Sequence, residues 1–212
     1  MKVFCLNSLP NRIKNLDIII PNILEQCDLL HINTINYKLD KYNYNNPKII
    51  LNHYNEMGSE GRFIHYNNYD DEIYYFTIDD DILYPKNYSD ILIKTHKEVG
   101  KGIISVHSSN LLYNKKNYSK REILNYRMNL NKTTKFDVAG VGTSCFYKKD
   151  FKINYKDFKY SNMSDPYIYK FSKEQKLPIY SVKRENNWLK PLNEYGSRIF
   201  GNNNYKLINK VI

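Results

Sequence analysis

The stretch Tyr74–Pro85, YYFTIDDDILYP, decides how this chain is read. Tyr74 to Ile78 is rich in aromatic and β-branched residues and has the composition of a strand. It ends on three consecutive aspartates, Asp79, Asp80 and Asp81, and an apolar pair, Ile82 and Leu83, follows at once. Like charges repel, and a carboxylate near a buried strand end is costly without a partner. The triplet is therefore either an exposed acidic turn or a place where something cationic sits. Strand alternation gives Asp79 and Asp81 one side and Asp80 the other. Two carboxylates at that spacing can address one divalent cation, and oxygen-only ligands suit Mg²⁺ or Mn²⁺. Mg²⁺ is commonly held by one or two carboxylates plus substrate phosphates, so the pattern suits a metal–diphosphate ligand.

On both sides of this stretch, strand patterns alternate with helix patterns. KVFCLN, DLLHINT and KIILNHY read as strands before it, with a helical NLDIIIPNILEQC between the first two and Pro21 as its kink or second start. GSEGRFIHYNNY reads as a glycine-bearing loop leading into a short helix. After Pro85, KNYSDILIKTHKEVG predicts an amphipathic helix closed by Gly100. GIISVHS is a strand, and FDVAGVGTSCFYKKDF is a strand, a glycine turn and another strand. MSDPYIYKFSKEQK predicts a helix capped by Ser164 or Asp165 with Pro166 in its first turn. LPIYSVK is a last strand. The alternation predicts one α/β domain over residues 1–191, a central mostly parallel sheet flanked by helices, then a tail over 192–212. In such sheets ligands bind beyond the carboxyl ends of the strands. The aspartates stand at such an end.

Composition narrows the class. The chain has 212 residues and a net charge of +10, enough length for a real core and a balance that favours anionic partners. The lysines are scattered, which fits a solvated basic surface as well as a polyanion site. No apolar run is long enough to span a bilayer. The three cysteines, Cys5, Cys27 and Cys145, are widely spaced. No CxxC pair or Cys/His cluster accompanies them, so a zinc site is disfavoured and reduced thiols in a cytoplasmic protein are the expectation. The bias toward Asn, Lys, Ile and Tyr fits an AT-rich coding sequence, so the tyrosines carry little functional meaning.

YYFTIDDDILYP resembles the DxD segment of GT-A-fold glycosyltransferases. LNSLPNR, GRFIHY, ISVHS, VAGVGTSCFY, the acidic-helix segment around MSDPY, and NWLKP are similar, in order, to segments of a small family-2-like bacterial and viral group. The resemblance covers roughly residues 1–191. It implies a GT-A-like fold and transfer of a sugar from a nucleotide-diphosphate sugar, UDP by default, to a hydroxyl of a glycan, lipid-linked or protein acceptor. It also implies Mn²⁺ or Mg²⁺, with Asp81 and Asp79 as the metal carboxylates, Asp79 near the ribose side, and Asp80 sharing either task. Ser8 and Pro10 belong to the turn that carries base or ribose. Arg12 and Arg62 lie near the nucleotide, where guanidinium–phosphate contacts are charge-assisted; their alternative is a surface ion pair. Asp165 matches the catalytic base of an inverting transfer, and its alternative is a helix N-cap. Many relatives carry Glu-Asp where this chain has Ser164-Asp165, and the QxxRW pattern is missing.

The remaining candidates line the acceptor or sugar pocket in the same resemblance. Gly140 and Gly142 flank Val141 before Thr143, either bringing backbone close to a ligand or making a tight turn. Trp188 either stacks on a sugar or packs on the sheet, and His107 at a strand end is a pocket-edge or core histidine. The polar segment from Tyr113 to Thr134 is expected to act as a lid. A phosphatase with two aspartates after a strand would continue Gly-Thr-Leu near the chain start, unlike this chain. The alternatives are a nucleotidyltransferase, an inactive sugar-nucleotide-binding protein and a basic nucleic-acid-binding protein. Neither a helix-turn-helix nor an RNP-like motif appears, so no specific nucleic acid is expected. The basic surface allows loose contact with an anionic membrane.

Overall fold

The computed structural model describes residues 1–39, 44–112, 118, 120–192, 208 and 211. The strands are β1 (Lys2–Ser8), β2 (Leu29–Ile35), β3 (Ile49–Tyr54), β4 (Tyr74–Ile78), β5 (Ile82–Leu83), β6 (Ile103–Ser105) and β7 (Ser108–Leu111). They continue with β8 (Arg121–Leu124), β9 (Thr134–Phe136), β10 (Val138–Ala139), β11 (Thr143–Tyr147), β12 (Ile179–Ser181) and β13 (Lys190–Pro191). Three α-helices join them: α1 (Ile13–Leu24), α2 (Tyr88–Val99) and α3 (Ser164–Glu174). The main sheet runs β3-β2-β1-β4-β11-β6-β12-β9. The β3-β2-β1-β4 half is parallel throughout, while β11 is antiparallel to both its neighbours. A small β10-β7-β8 sheet and a β13-β5 pair lie beside it.

The period-two pattern of the strands sorts the core into two layers. Phe4, Leu6, Leu30, Ile32, Phe76 and Ile78 face α1 and α2. Phe4 stacks on Phe76 at 4.3 Å between adjacent strands. Val3, Cys5, Tyr75 and Phe146 face the other way, toward α3 and the turn bearing Phe63 and Tyr66. In α1, Leu16, Ile19, Ile20 and Ile23 are buried at helical spacing, each side chain worth about 1.5–3 kcal/mol on burial. Pro21 sits inside α1 without ending it, because it lies on the exposed face, where water can bond the carbonyl left without a donor. α2 ends as its sequence predicts, at Gly100 with φ +80°.

Several local expectations change. GIISVHS is not one strand: it breaks after Ser105 and re-forms as β7 in the small sheet. The expected short helix after Gly58 is two 3₁₀ turns, Ser59–Phe63 and Tyr66–Asn68. The cap of α3 is Met163, so neither Ser164 nor Asp165 caps it, and both lie within its first turn. In the segment expected as a lid, residues 113–117 and 119 lie outside the described residues. The described part is tied down: Leu130 bridges Arg184, and the Asn187 N–H donates to the Arg127 carbonyl at 2.7 Å. Most of the tail also lies outside the described residues, but Ile208 and Val211 are buried in the α3-side core.

Candidate active site

β1 and β4 are parallel neighbours with Leu6 opposite Ile78, so Ser8–Pro10 and the aspartates leave the sheet side by side. The Pro10–Arg12 turn carries Arg12 back over the triplet. Its Nη1 lies 2.7 Å from Asp80 Oδ1 and 3.0 Å from Asp81 Oδ2. Asn15 Nδ2 donates to the Asp80 carbonyl at 2.9 Å. Arg62, on the Ser59–Phe63 turn, pairs with Asp79 and donates from Nε to the Ile78 carbonyl at 2.9 Å. Neither arginine forms a surface ion pair, since each side chain is only 11% exposed. The alternation expected of a strand persists past its end: the Asp80 side chain is 3% exposed, those of Asp79 and Asp81 34% and 28%.

The electrostatics follow from this crowding. Burial and the neighbouring Asp79 carboxylate push Asp81 up to about 6, against the pull of Arg12. Burial also raises Asp80, and Arg12 offsets only part of it. Ser8 Oγ, Tyr37 Oη and Asp80 Oδ2 are buried polar atoms without a well-aligned hydrogen bond. Ser8 is nonetheless close enough to Tyr37 and Asp80 to lower the pKa of each. The end of β1 thus presents unsatisfied hydroxyl and carboxylate oxygens beside the triplet.

Opposite stands the turn between β10 and β11. Gly142 is pressed against Asp79: a Cβ there would lie 2.5 Å from Asp79 Oδ1 and nearer still to Oδ2. The Tyr84 hydroxyl fastens the same contact, donating to the Gly142 carbonyl at 2.6 Å and accepting from the Asp79 N–H at 2.8 Å. One residue earlier, the Val141 N–H donates to Asp165 Oδ1 at 2.9 Å. Asp165 is therefore held by the glycine turn rather than spent on its own helix end. Burial raises its pKa, and the Val141 N–H partly opposes this. Asp79 and Asp165 thus flank one turn, the first against Gly142 and the second on Val141. Both glycines are required by close approach, because a Cβ at Gly140 would run into the His107 ring.

The other predicted residues separate. Thr143 is buried; its hydroxyl accepts from the His107 N–H at 2.9 Å and donates to the Gly140 carbonyl at 3.2 Å. Thr143 therefore knots the turn from inside. His107 lies under this turn, and burial together with Arg121 pushes it down to about 4, so it is neutral at pH 7. Trp188 packs against Tyr88 at 5.9 Å on the α1/α2 side. Pro10 is exposed at the turn.

Several contributors were not read from the sequence. Tyr84 stands three residues beyond the triplet but acts on a carbonyl 58 positions away, so only the fold reveals it. Tyr126 is half-buried, with Asp81 and Asp79 both raising its pKa after the effect of burial. The segment after Trp188 returns to the triplet: β13 pairs with β5, and the Leu192 N–H donates to the Asp81 carbonyl at 2.9 Å. Glu60 and Ser59 grip the chain at the start of α3, the Asn162 N–H donating to Glu60 Oε2 at 2.9 Å and Ser164 Oγ to Ser59 Oγ at 2.7 Å.

The triplet fits a hard divalent cation in a restricted sense. Asp79 Oδ2 and Asp81 Oδ1 are not engaged by either arginine, and both side chains reach solvent. Among the described residues no three His, Cys, Asp or Glu side chains converge to hold a metal unaided. The protein thus offers two carboxylates and leaves the remaining positions to oxygens from elsewhere, the pattern Mg²⁺ tolerates with phosphate ligands.

A mostly parallel sheet with an antiparallel strand beside the triplet, flanked by helices, is the GT-A glycosyltransferase fold. Among solved structures, the chain is similar to TarS of S. aureus. Residues 1–349 of TarS in complex with UDP-GlcNAc match with a TM-score of 0.52 at 11% identity, over 88% of this chain and 60% of that one. A second TarS structure matches with a TM-score of 0.53 at 8% identity, over 86% of this chain and 36% of that one. The chain thus spans less than two thirds of these neighbours. No family model and no curated protein matches the sequence. Among the described residues no helix is long and apolar enough to cross a membrane.

Proposed function

We propose that the chain is a glycosyltransferase that takes a nucleotide-diphosphate sugar, with UDP as the nucleotide. It moves the sugar with inversion to a hydroxyl of a glycan, lipid-linked or protein acceptor. The observation that carries this reading is the turn Gly140–Val141–Gly142, with Asp79 against Gly142 and Asp165 hydrogen-bonded to Val141. A donor diphosphate at the triplet and a base at Asp165 would then flank the same sugar. The UDP-GlcNAc held by TarS supports the choice of UDP.

In this reading Asp79 and Asp81 are the residues that would hold Mn²⁺ or Mg²⁺, which would supply positive charge against that developing on the leaving phosphate. Arg62 keeps Asp79 in place, since its guanidinium is committed to Asp79 and to the Ile78 and Ser59 carbonyls. Ser8 and Tyr37, whose hydroxyls lack well-aligned partners, receive polar groups of the nucleoside. Asp165 takes the proton from the acceptor hydroxyl as its oxygen attacks the anomeric carbon and the nucleoside diphosphate leaves. A raised pKa makes it a stronger base than an exposed aspartate. Attack from the face opposite the leaving group inverts the anomeric centre.

The test is calorimetric titration of UDP, GDP and CDP with Mn²⁺ and then with EDTA, on the wild type and Asp81→Ala. Metal-dependent binding of UDP that Asp81→Ala abolishes is the expected result. Absence of binding by every nucleotide under both conditions would overturn the reading. Asp165→Asn is expected to bind UDP normally while losing turnover of UDP-GlcNAc, supplied as a donor probe.

A further inference from the structure

Arg12 stands on Asp81, one of the two carboxylates proposed above to take the cation. It contacts two carboxylates through a single nitrogen: Nη1 is 2.7 Å from Asp80 Oδ1 and 3.0 Å from Asp81 Oδ2. The two contacts differ in what losing them exposes. Asp80 is buried, with a side chain 3% exposed, and stripping its counter-charge would leave a buried carboxylate bare. Asp81, 28% exposed, reaches water and loses the arginine at a smaller penalty than Asp80 would. Because both bonds share one nitrogen, a small swing of the guanidinium frees Asp81 while Asp80 stays paired. Arg62 meanwhile holds Asp79 from the other side. Two guanidinium charges therefore stand over three carboxylates, leaving about one net negative charge for an incoming dication.

We infer that Arg12 is the resident counter-cation of Asp81, and that a divalent cation takes Asp81 only by displacing it. Arg12 thereby sets the cation requirement of the site: metal alone is held back, and metal arriving with a diphosphate is accepted. Diphosphate oxygens supply both the negative charge the triplet has already neutralised and a new acceptor for the Nη1 hydrogen that leaves Asp81. Guanidinium–phosphate contacts are charge-assisted, so the exchange trades one strong partner for another. That no three ligating side chains converge here points the same way, because the cation must draw ligands from what it enters with. The inference rests on the donor site proposed above and adds to it the residue that couples metal to nucleotide.

The experiment measures Mn²⁺ binding directly, by the electron paramagnetic resonance signal of free Mn²⁺, with and without UDP. It compares the wild type with Arg12→Met and Arg12→Lys. Arg12→Lys keeps one charge for buried Asp80 but lacks the planar fork, so it preserves folding where Arg12→Met does not; circular dichroism checks both. The wild type is expected to bind Mn²⁺ weakly alone and far more tightly with UDP. Removing a like charge a few ångström from a dication is worth about tenfold even at bulk-water screening. A folded Arg12→Met is therefore expected to tighten Mn²⁺ binding without UDP by about tenfold, and Arg12→Lys, whose compact ammonium can stay on Asp80 and leave Asp81, by a smaller factor above one. The gain from UDP shrinks correspondingly in both. Unchanged or weaker Mn²⁺ binding in the folded variants, or equal wild-type affinity with and without UDP, would overturn the inference. UDP binding that needs no Mn²⁺ in any variant would also overturn it while leaving the donor site standing.

Discussion

Replacing Gly142 with alanine tests the site through a single methyl group. Its φ lies outside the positive region that disfavours side chains, so the backbone itself accepts alanine. The obstacle is Asp79. The farther carboxylate oxygen would stand 2.5 Å from the new Cβ, where real Cβ atoms keep at least 3.0 Å, and the nearer oxygen overlaps it outright. Asp79 must rotate away, and the rotation breaks its pair with Arg62, which is buried. Breaking a fully buried pair costs about 3–5 kcal/mol. Asp79 is about one-third exposed, and solvent screening discounts that to about 1–3 kcal/mol. If bound metal and UDP require the original Asp79 position, the same free energy weakens their binding by about 5- to 150-fold. The assays are thermal unfolding and calorimetric titration of UDP with Mn²⁺. Gly100→Ala is the control: its φ is +80° and nothing lies within 4 Å of the new methyl. It is expected to cost about 1–2 kcal/mol of backbone strain and leave UDP binding alone. If Gly142→Ala binds UDP–Mn²⁺ within twofold of wild type, Asp79 does not need the place the turn gives it, and the assignment of Asp79 falls.

Other predictions follow from the same geometry. Tyr84→Phe removes the hydroxyl that bridges the Asp79 N–H and the Gly142 carbonyl, which still meet directly at 3.2 Å; a loss of about 0.5–1.5 kcal/mol is expected in urea unfolding, with weaker UDP–Mn²⁺ binding. His31 is buried in a stack with His65, 4.0 Å between ring centroids, and burial followed by the His65 charge holds it down to about 3. The unfolded chain protonates this histidine near pH 6.5 and the folded one does not, so stability falls as pH drops from 6.5 toward 3. Between pH 7 and pH 5 the loss is about 2 kcal/mol. His31→Gln is expected to flatten that slope in urea midpoints, and an unchanged slope would remove His31 as its source. Asp81→Ala is expected to lose metal-dependent UDP binding while folding, because Asp81 is the most dispensable partner of Arg12.

What the sequence alone determined follows from local rules. Alternation along YYFTI, the apolar spacing of Leu16, Ile19, Ile20 and Ile23, and Gly100 as a helix stop are written within a few residues of one another. They set the α/β class, the sheet with helices on both faces and the strand end bearing the aspartates. The resemblance of several short segments, in order, to GT-A transferases pointed to the fold and brought Asp165 and Arg62 forward as candidates. The tertiary structure decided which oxygens are paired and which are open. Arg12 and Arg62 lie 68 and 17 positions from the carboxylates they hold. Gly142 presses on Asp79 from the turn between β10 and β11, and the Asp165 carboxylate turns to a backbone N–H 24 residues away. Helix-cap propensity made Asp165 a plausible cap, and the same propensity cannot see a competing donor that only folding brings within 2.9 Å. Trp188, which the sequence left between a sugar and the sheet, packs against Tyr88, because the chain's return to β5 carries it to the α1/α2 face. Periodicity is a property of neighbours along the chain and survives in sequence. Charge pairing and close packing belong to neighbours in space, and they exist only once the sheet order has brought the strand ends together.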